Sequence, residues 1–332
     1  MPPSAPVALL RSVAEGAVRT LFKRRLYGSA PALGDAASGC SSLDALPPYD
    51  VVVVGAGVMG SATAYALASR NQRVACLEQY DCLHRRGSSH GESRIIRLAY
   101  PQAHLTALMA HSYELWEAAQ AEFGSRVFTR TGGLDFSEAG DPALLRLVAA
   151  LVAHGVAHER LSPEQVSARF PAFRLPSGFE AVYQPDAGVL NASKSVAMLQ
   201  ELARRKGAHV LDRTRVLSVE PLASGGVRVQ TSRGALRAAK VVLAAGAWTA
   251  HLLRGFGAGD AAGALSVVPV AASYWRIKDA ASAAHLAADV CPVSIRYSGA
   301  AASVQRAECY LIPTLELPGL VKVSLHLPQV RP

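Results

Sequence analysis

The chain has 332 residues, half of them hydrophobic, and a formal net charge of +9. That length admits two domains, or one large domain with an insertion, around a real core. The basic residues are scattered with no lysine run interleaved with aromatics, which argues against a nucleic-acid partner, and no apolar run reaches the roughly 18 residues of a membrane span.

From Met1 to Ala30 the basic residues Arg11, Arg19, Lys23, Arg24 and Arg25 face one acid, Glu15, and Leu10, Val13, Ala14, Ala17 and Leu21 fall on one helical face. A leader of this kind, taken here as residues 1–46, reads as an organellar transit peptide or as an ordinary disordered extension. Structure is expected from Tyr49. Val51–Val54 is an unbroken β-branched run, the pattern of a strand buried on both faces of a parallel sheet. A helix is expected over Ser61–Ser69 and a second strand over Arg73–Glu78, completing a β-α-β unit. Helices are then expected over Leu105–Phe123, with Leu108, Ser112, Leu115 and Ala119 on one stripe, over Pro142–His154 and over Lys194–Lys206. Short strands follow at His209–Leu211, Val216–Val219, Val227–Thr231 and Lys240–Ala244, and Val267–His326 reads as mainly β.

Gly55-Ala56-Gly57-Val58-Met59-Gly60 is a G-x-G-x-x-G loop. It follows a buried strand, opens a helix and precedes an acid, Glu78, at the end of the next strand, which is the context of a dinucleotide fingerprint. Gly55 permits the turn, Gly57 lets backbone approach a pyrophosphate, and Gly60 brings the helix close to the strand. The helix N-terminus offers N–H groups to phosphate, and Glu78 offers oxygens to ribose hydroxyls. NAD and FAD both use such a loop. The late strand Lys240–Ala244 running into Ala245-Gly246-Ala247-Trp248 favours FAD, because FAD enzymes return to the nucleotide after an insertion. The five cysteines, Cys40, Cys76, Cys82, Cys291 and Cys309, have irregular spacing and no C-x-x-C pair, and read as separate thiols with no metal site.

Gly87-Ser88-Ser89-His90-Gly91-Glu92-Ser93-Arg94-Ile95-Ile96-Arg97-Leu98-Ala99-Tyr100 resembles the signature of the monomeric sarcosine oxidase and peroxisomal L-pipecolate/sarcosine oxidase family. The likeness continues through Thr131–Leu134, Pro185–Val189, Gly246–Trp248, Tyr274–Arg276 and Pro318–His326, and so spans Tyr49 to His326. The resemblance implies an FAD-dependent oxidase that converts a secondary amino acid to an imine and O2 to hydrogen peroxide, as a monomer, with no nucleic-acid or membrane partner and with a peroxisomal address. It places His90 and Arg94 against the flavin, Arg97 on the substrate carboxylate, Lys322 where oxygen reacts and His326 on the substrate side. It adds Ser88, Ser89, Arg94, Val216, Gly246 and Trp248 to the cofactor contacts. Arg94 and Arg97, three apart, are expected on similar faces of helical or turn-like backbone. Lys322 and His326, four apart in a strand, are expected on one face.

The fold class expected is α/β: a Rossmann-type FAD-binding domain from discontinuous segments (47–135 and 240–262, joined by mixed segments over 136–239) and a mainly antiparallel β substrate domain ending in 263–332. The family continues beyond the point matching Pro332, with a flavin-bonding cysteine, a second carboxylate lysine and a Gly-rich segment. A truncated, non-catalytic flavoprotein is therefore the alternative, and a flavin dehydrogenase is a rival that Lys322 argues against. Cys309 precedes Lys322, whereas the family's flavin cysteine follows that lysine, so Cys309 reads as a packed thiol.

Overall fold

A computed structural model describes residues 43–297, 308–313, 315 and 317–326. The leader lies outside the described residues except at its end. There Leu43 is fully buried and its amide donates to the Arg233 carbonyl at 2.9 Å, so folded structure begins a few residues earlier than Tyr49. The chain forms two compact units: described residues up to Cys82 with Leu199–Ala258, and Leu83–Met198 with Gly259 onward.

The first unit opens with β1 (Tyr49–Val54), α1 (Val58–Ala68) and β2 (Val74–Leu77). Helix α1 buries Gly60, Ser61, Ala64 and Ala68, small residues that let it lie close to the sheet. In the second unit the chain forms β3 (Arg94–Ile96), α2 (Ala103–Phe123), β4 (Phe128–Arg130), β5 (Gly133–Glu138), α3 (Pro142–Ala153), β6 (Glu159–Leu161), α4 (Pro163–Arg169), β7 (Phe179–Gln184) and β8 (Gly188–Leu190). Helix α5 (Ala192–Arg205) carries the chain back. The first unit then adds β9 (His209–Leu211), β10 (Val216–Pro221), β11 (Val227–Thr231), β12 (Gly234–Leu243) and α6 (Thr249–Gly255). The second ends with α7 (Gly259–Gly263), β13 (Tyr274–Arg276), α8 (Ala280–His285), β14 (Val293–Arg296), β15 (Glu308–Ile312) and β16 (Leu320–His326).

The six-stranded sheet of the first unit has the order β10-β11-β12-β1-β2-β9. Strands β12, β1, β2 and β9 run parallel, and the β10–β11–β12 meander is antiparallel. Val52, Val54, Leu77, Val229 and Leu236 pack one core face, and Val51, Val53, Ala64 and Cys76 the other. The second unit holds a seven-stranded sheet, β13-β16-β15-β14-β5-β7-β6, antiparallel except at β14–β5, and a three-stranded sheet β3-β8-β4. This is the α/β architecture read from the sequence, with a Rossmann-type parallel sheet in one unit and a mainly antiparallel sheet in the other.

Two local expectations fail. Of the α2 stripe only Ala119 is buried: Leu108 and Leu115 are exposed, and the helix buries Thr106 and Gln120 beside Ala119. The region from Val267 to His326, read as mainly β, also contains α8, started by the Asp279 side chain accepting from the Ser282 amide at 2.8 Å.

Candidate active site

The nucleotide-binding features lie in the first unit. Gly55 sits at φ +102°, and a Cβ there would meet the Ala244 carbonyl oxygen at 2.5 Å. A Cβ on Gly60 would lie 1.7 Å from the Gly55 carbonyl oxygen, so only glycine allows this helix–loop approach. Gly57 is the N-cap of α1 and gives it no side-chain cap, leaving the first turn's amides to an outside acceptor. Glu78 is buried; its Oε2 accepts from the Ala56 amide and its Oε1 from the Tyr80 amide, each at 3.1 Å. Gln200 was not foreseen. Its Nε2 donates to the Ala56 carbonyl at 2.8 Å, and its buried Oε1 has no partner among the described residues. The Trp248 ring meets Tyr80 edge-on at 5.7 Å. Gly246 follows β12 at φ +53°. Val216 is a buried core residue of β10.

The second unit gathers the charged groups. Arg94 donates to the carbonyls of Ser88 (2.6 Å), His90 (3.0 Å) and Ser93 (2.7 Å), so one guanidinium holds the whole 88–93 loop. Ser88 therefore enters through its carbonyl, and Ser89 belongs to the same loop. Lys322, in β16, is buried; its Nζ lies 3.4 Å from the Ser93 carbonyl and within 6 Å of the Tyr274 and Tyr310 rings. Burial, reinforced by the Arg94 charge, lowers the lysine to about 8. Burial first, and then Arg94, Arg85, His84 and Lys322, hold His90 below the ordinary imidazole value. A cavity of about 260 Å³ adjoins these groups, with Ser93, Asn191, Lys194, Tyr274 and Lys322 in its wall. The Asn191 Nδ2 is buried without a partner among the described residues. The His326 side chain lies outside the described residues.

Arg97 stands apart from this cluster. Its Nη1 donates to Asp135 Oδ1 at 2.8 Å and to the Tyr297 hydroxyl at 2.5 Å, and its guanidinium lies over the Tyr100 ring at 4.4 Å. The expectation that Arg94 and Arg97 share a face is corrected here. Arg94 begins the extended strand β3, where three residues reverse the side-chain direction; Arg94 is exposed and Arg97 turns inward. Neither Asp135 nor Tyr297 was singled out from the sequence.

Residues 50–319 match the FAD dependent oxidoreductase family. The chain belongs to that family. A probable sarcosine oxidase of Arabidopsis thaliana is 37% identical over 284 residues, covering 84% of this chain and 66% of the relative. The human peroxisomal sarcosine oxidase is 34% identical, covering 84% of this chain and 68% of the relative. A monomeric sarcosine oxidase of Bacillus sp. (strain B-0618) is 34% identical, covering 62% and 53%. The chain thus spans about two thirds of the first two relatives and about half of the third. A solved variant of NikD, described as an unusual amino acid oxidase, superposes with a TM-score of 0.68 at 27% identity, covering 85% of this chain and 70% of that one. Within the FAD dependent oxidoreductase family this chain groups with the sarcosine oxidases, and its cofactor is FAD. The first unit fits that cofactor on its own geometry: a loop that admits no Cβ at Gly55 or Gly60, an uncapped helix N-terminus at Gly57, and a fixed acid at Glu78.

Proposed function

We propose that the protein oxidises a secondary or N-methyl amino acid to an imine and reduces O2 to hydrogen peroxide. The amine gives up two electrons and two protons; O2 takes two electrons and two protons. When bound, FAD supplies the two-electron acceptor that links the two halves. Gly55, Gly57, Gly60 and Glu78 would hold its pyrophosphate and ribose, and Ser88, Ser89, Val216, Gly246 and Trp248 are the further contacts implied by the family likeness.

The observation that carries the reading is Lys322, a buried cation in a wall that also holds Ser93 and Tyr274. A cation already in place stabilises anionic charge developing as oxygen is reduced, and in a water-poor site that is worth far more than in bulk water. Arg94 adds positive potential and fixes the loop that carries His90, whose imidazole, held below its ordinary value, serves as a neutral hydrogen-bonding group beside the flavin. Arg97 anchors the substrate carboxylate through its Nε–Nη2 edge, since its protein hydrogen bonds both fall on Nη1. His326 is assigned to the substrate side. The protein acts as a monomer, as the name of the monomeric bacterial relative says of that enzyme, and works in the peroxisome, a reading supported by the peroxisomal human relative.

The test is anaerobic mixing of the FAD-loaded protein with sarcosine, other N-methyl amino acids and L-pipecolate, followed by admission of air. Flavin bleaching by a secondary amino acid and stoichiometric peroxide are expected. Bleaching without peroxide on aeration would make the protein a dehydrogenase; a flavin that none of these substrates bleaches would make it a non-catalytic flavoprotein. Either result overturns the proposal.

A further inference from the structure

Asp135 lies in the middle of the seven-stranded sheet, on β5, opposite Val182 on β7 and Ile295 on β14. It is 3% exposed. A carboxylate in such apolar surroundings costs several kcal/mol unless it is paired. Its partners are Arg97, at 2.8 Å, and the Tyr297 hydroxyl. Tyr297 accepts from the same Nη1 that donates to Asp135, so one guanidinium nitrogen serves both groups. The arginine's other edge, Nε and Nη2, has no protein partner among the described residues.

We propose that Asp135 is a specificity-determining residue: a carboxylate of the protein's own that shares the Arg97 guanidinium with the ligand's carboxylate and weakens the grip on it. The inference rests on the reading of Arg97 as the carboxylate anchor. With Asp135 ionised, the pair is neutral and an arriving carboxylate meets a like charge across the guanidinium. With Asp135 protonated, the full cation faces the ligand. The site thus favours ligands that bring compensating charge or neutral polar groups over those held by a carboxylate alone. The charged or titratable groups facing Asp135 are Arg97 and Tyr297, with Tyr100 over the guanidinium. Burial raises Asp135 to about 6 against the pull of Arg97 and its hydrogen bonds. Carboxylate binding therefore tightens as pH falls through that value, while the ligand, with an ordinary carboxylate pKa near 4, remains largely ionised.

The probes are methoxyacetate, the oxygen isostere of an N-methyl amino acid, and its neutral amide, titrated by calorimetry into the full chain supplied with FAD. Asp135→Asn keeps an acceptor for Arg97 and removes the charge. It is expected to tighten methoxyacetate by about tenfold at pH 7.5, the scale of removing one nearby like charge, and to leave the amide unchanged. The unaltered protein provides a second measurement that needs no variant: the acid-to-amide affinity ratio rises several-fold between pH 7.5 and pH 5.5. Arg97→Met separates the two layers. If it abolishes the preference for acid over amide, yet Asp135→Asn fails to tighten the acid and the unaltered ratio is flat with pH, Arg97 remains the anchor and the role of Asp135 is overturned. If Arg97→Met leaves the acid-to-amide ratio unchanged, the anchor reading and the inference built on it both fall.

Discussion

At the scale of single residues, the site is built from side chains with tightly limited alternatives. Gly60→Ala places a methyl inside the van der Waals radius of the Gly55 carbonyl. Backbone must shift, and overpacking of this kind costs about 1–3 kcal/mol; a lower denaturation midpoint together with weaker FAD binding is expected, measured by urea titration with and without FAD. Lys322 makes a separate prediction. Its charge is lost as pH rises through about 8, so reoxidation of the reduced enzyme by air should slow above that pH while anaerobic reduction changes less. Lys322→Met should impose the slow rate at every pH, by a few orders of magnitude if several kcal/mol are lost at about 1.4 kcal/mol per tenfold. Stopped-flow traces of the two half-reactions decide it, and a collapse of reduction alone would move Lys322 to the substrate side. The same shift acts on stability. A folded-state pKa below the unfolded value means that the unfolded chain binds more protons between about 8 and 10.5, so this group's contribution to stability improves as pH rises through that window. The glycine loop, Glu78 and the 88–97 motif were legible because their residues are close in sequence. Asp135 and Tyr297 were not: they stand 38 and 200 positions from Arg97, and no local pattern marks a long-range ion pair.

At the scale of elements, polar side chains decide how helices meet strands. Gln120, near the end of α2, is buried, and its Oε1 accepts from the amides of Val127 (2.8 Å) and Phe128 (2.9 Å) at the entry to β4. Gln120→Ala strands two buried donors at about 1–3 kcal/mol each, so a loss of roughly 2–5 kcal/mol is expected by chemical denaturation. Gln120→Met keeps most of the volume without an acceptor and should lose a similar amount; near-complete recovery by Gln120→Met would assign the effect to packing. Gln120 also shows why the α2 stripe matches the buried face only at Ala119. Periodicity counts apolar residues, and this helix turns Leu108 and Leu115 to solvent while burying a threonine and a glutamine. The start of α4 is written in local sequence: Ser162 and Gln165 form a capping box with Pro163 at the first helical position. The short strands β3, β4 and β8 are three residues each, too brief for alternation to show.

At the scale of the whole molecule, the cofactor is a structural component. FAD that binds the folded chain alone stabilises it by about 2.7 kcal/mol at a hundred times its dissociation constant. The expected outcome is a melting temperature that climbs with FAD concentration and is unmoved by NAD. A chain stabilised equally by NAD would overturn the cofactor assignment. The parallel sheet and the long excursion between its strands were readable, because Val51–Val54 and Val241–Leu243 carry the pattern of strands in a buried core. The boundary inside α5 was not, since one continuous helix crosses from one unit to the other without a break in periodicity.

The pairing of β1 with β12 sets a schedule for the newborn chain. Val54 leaves the ribosome long before Leu243, its partner in the register. At roughly 5–20 residues per second, the wait is about 10–40 s. Throughout that interval the β12 side of a strand of four consecutive valines offers unsatisfied amides and carbonyls to any passing edge. The nucleotide loop at its tip cannot take shape either, because Gly55 is seated against the Ala244 carbonyl. Maturation of the flavin site therefore waits on the synthesis of residues nearly two hundred positions downstream.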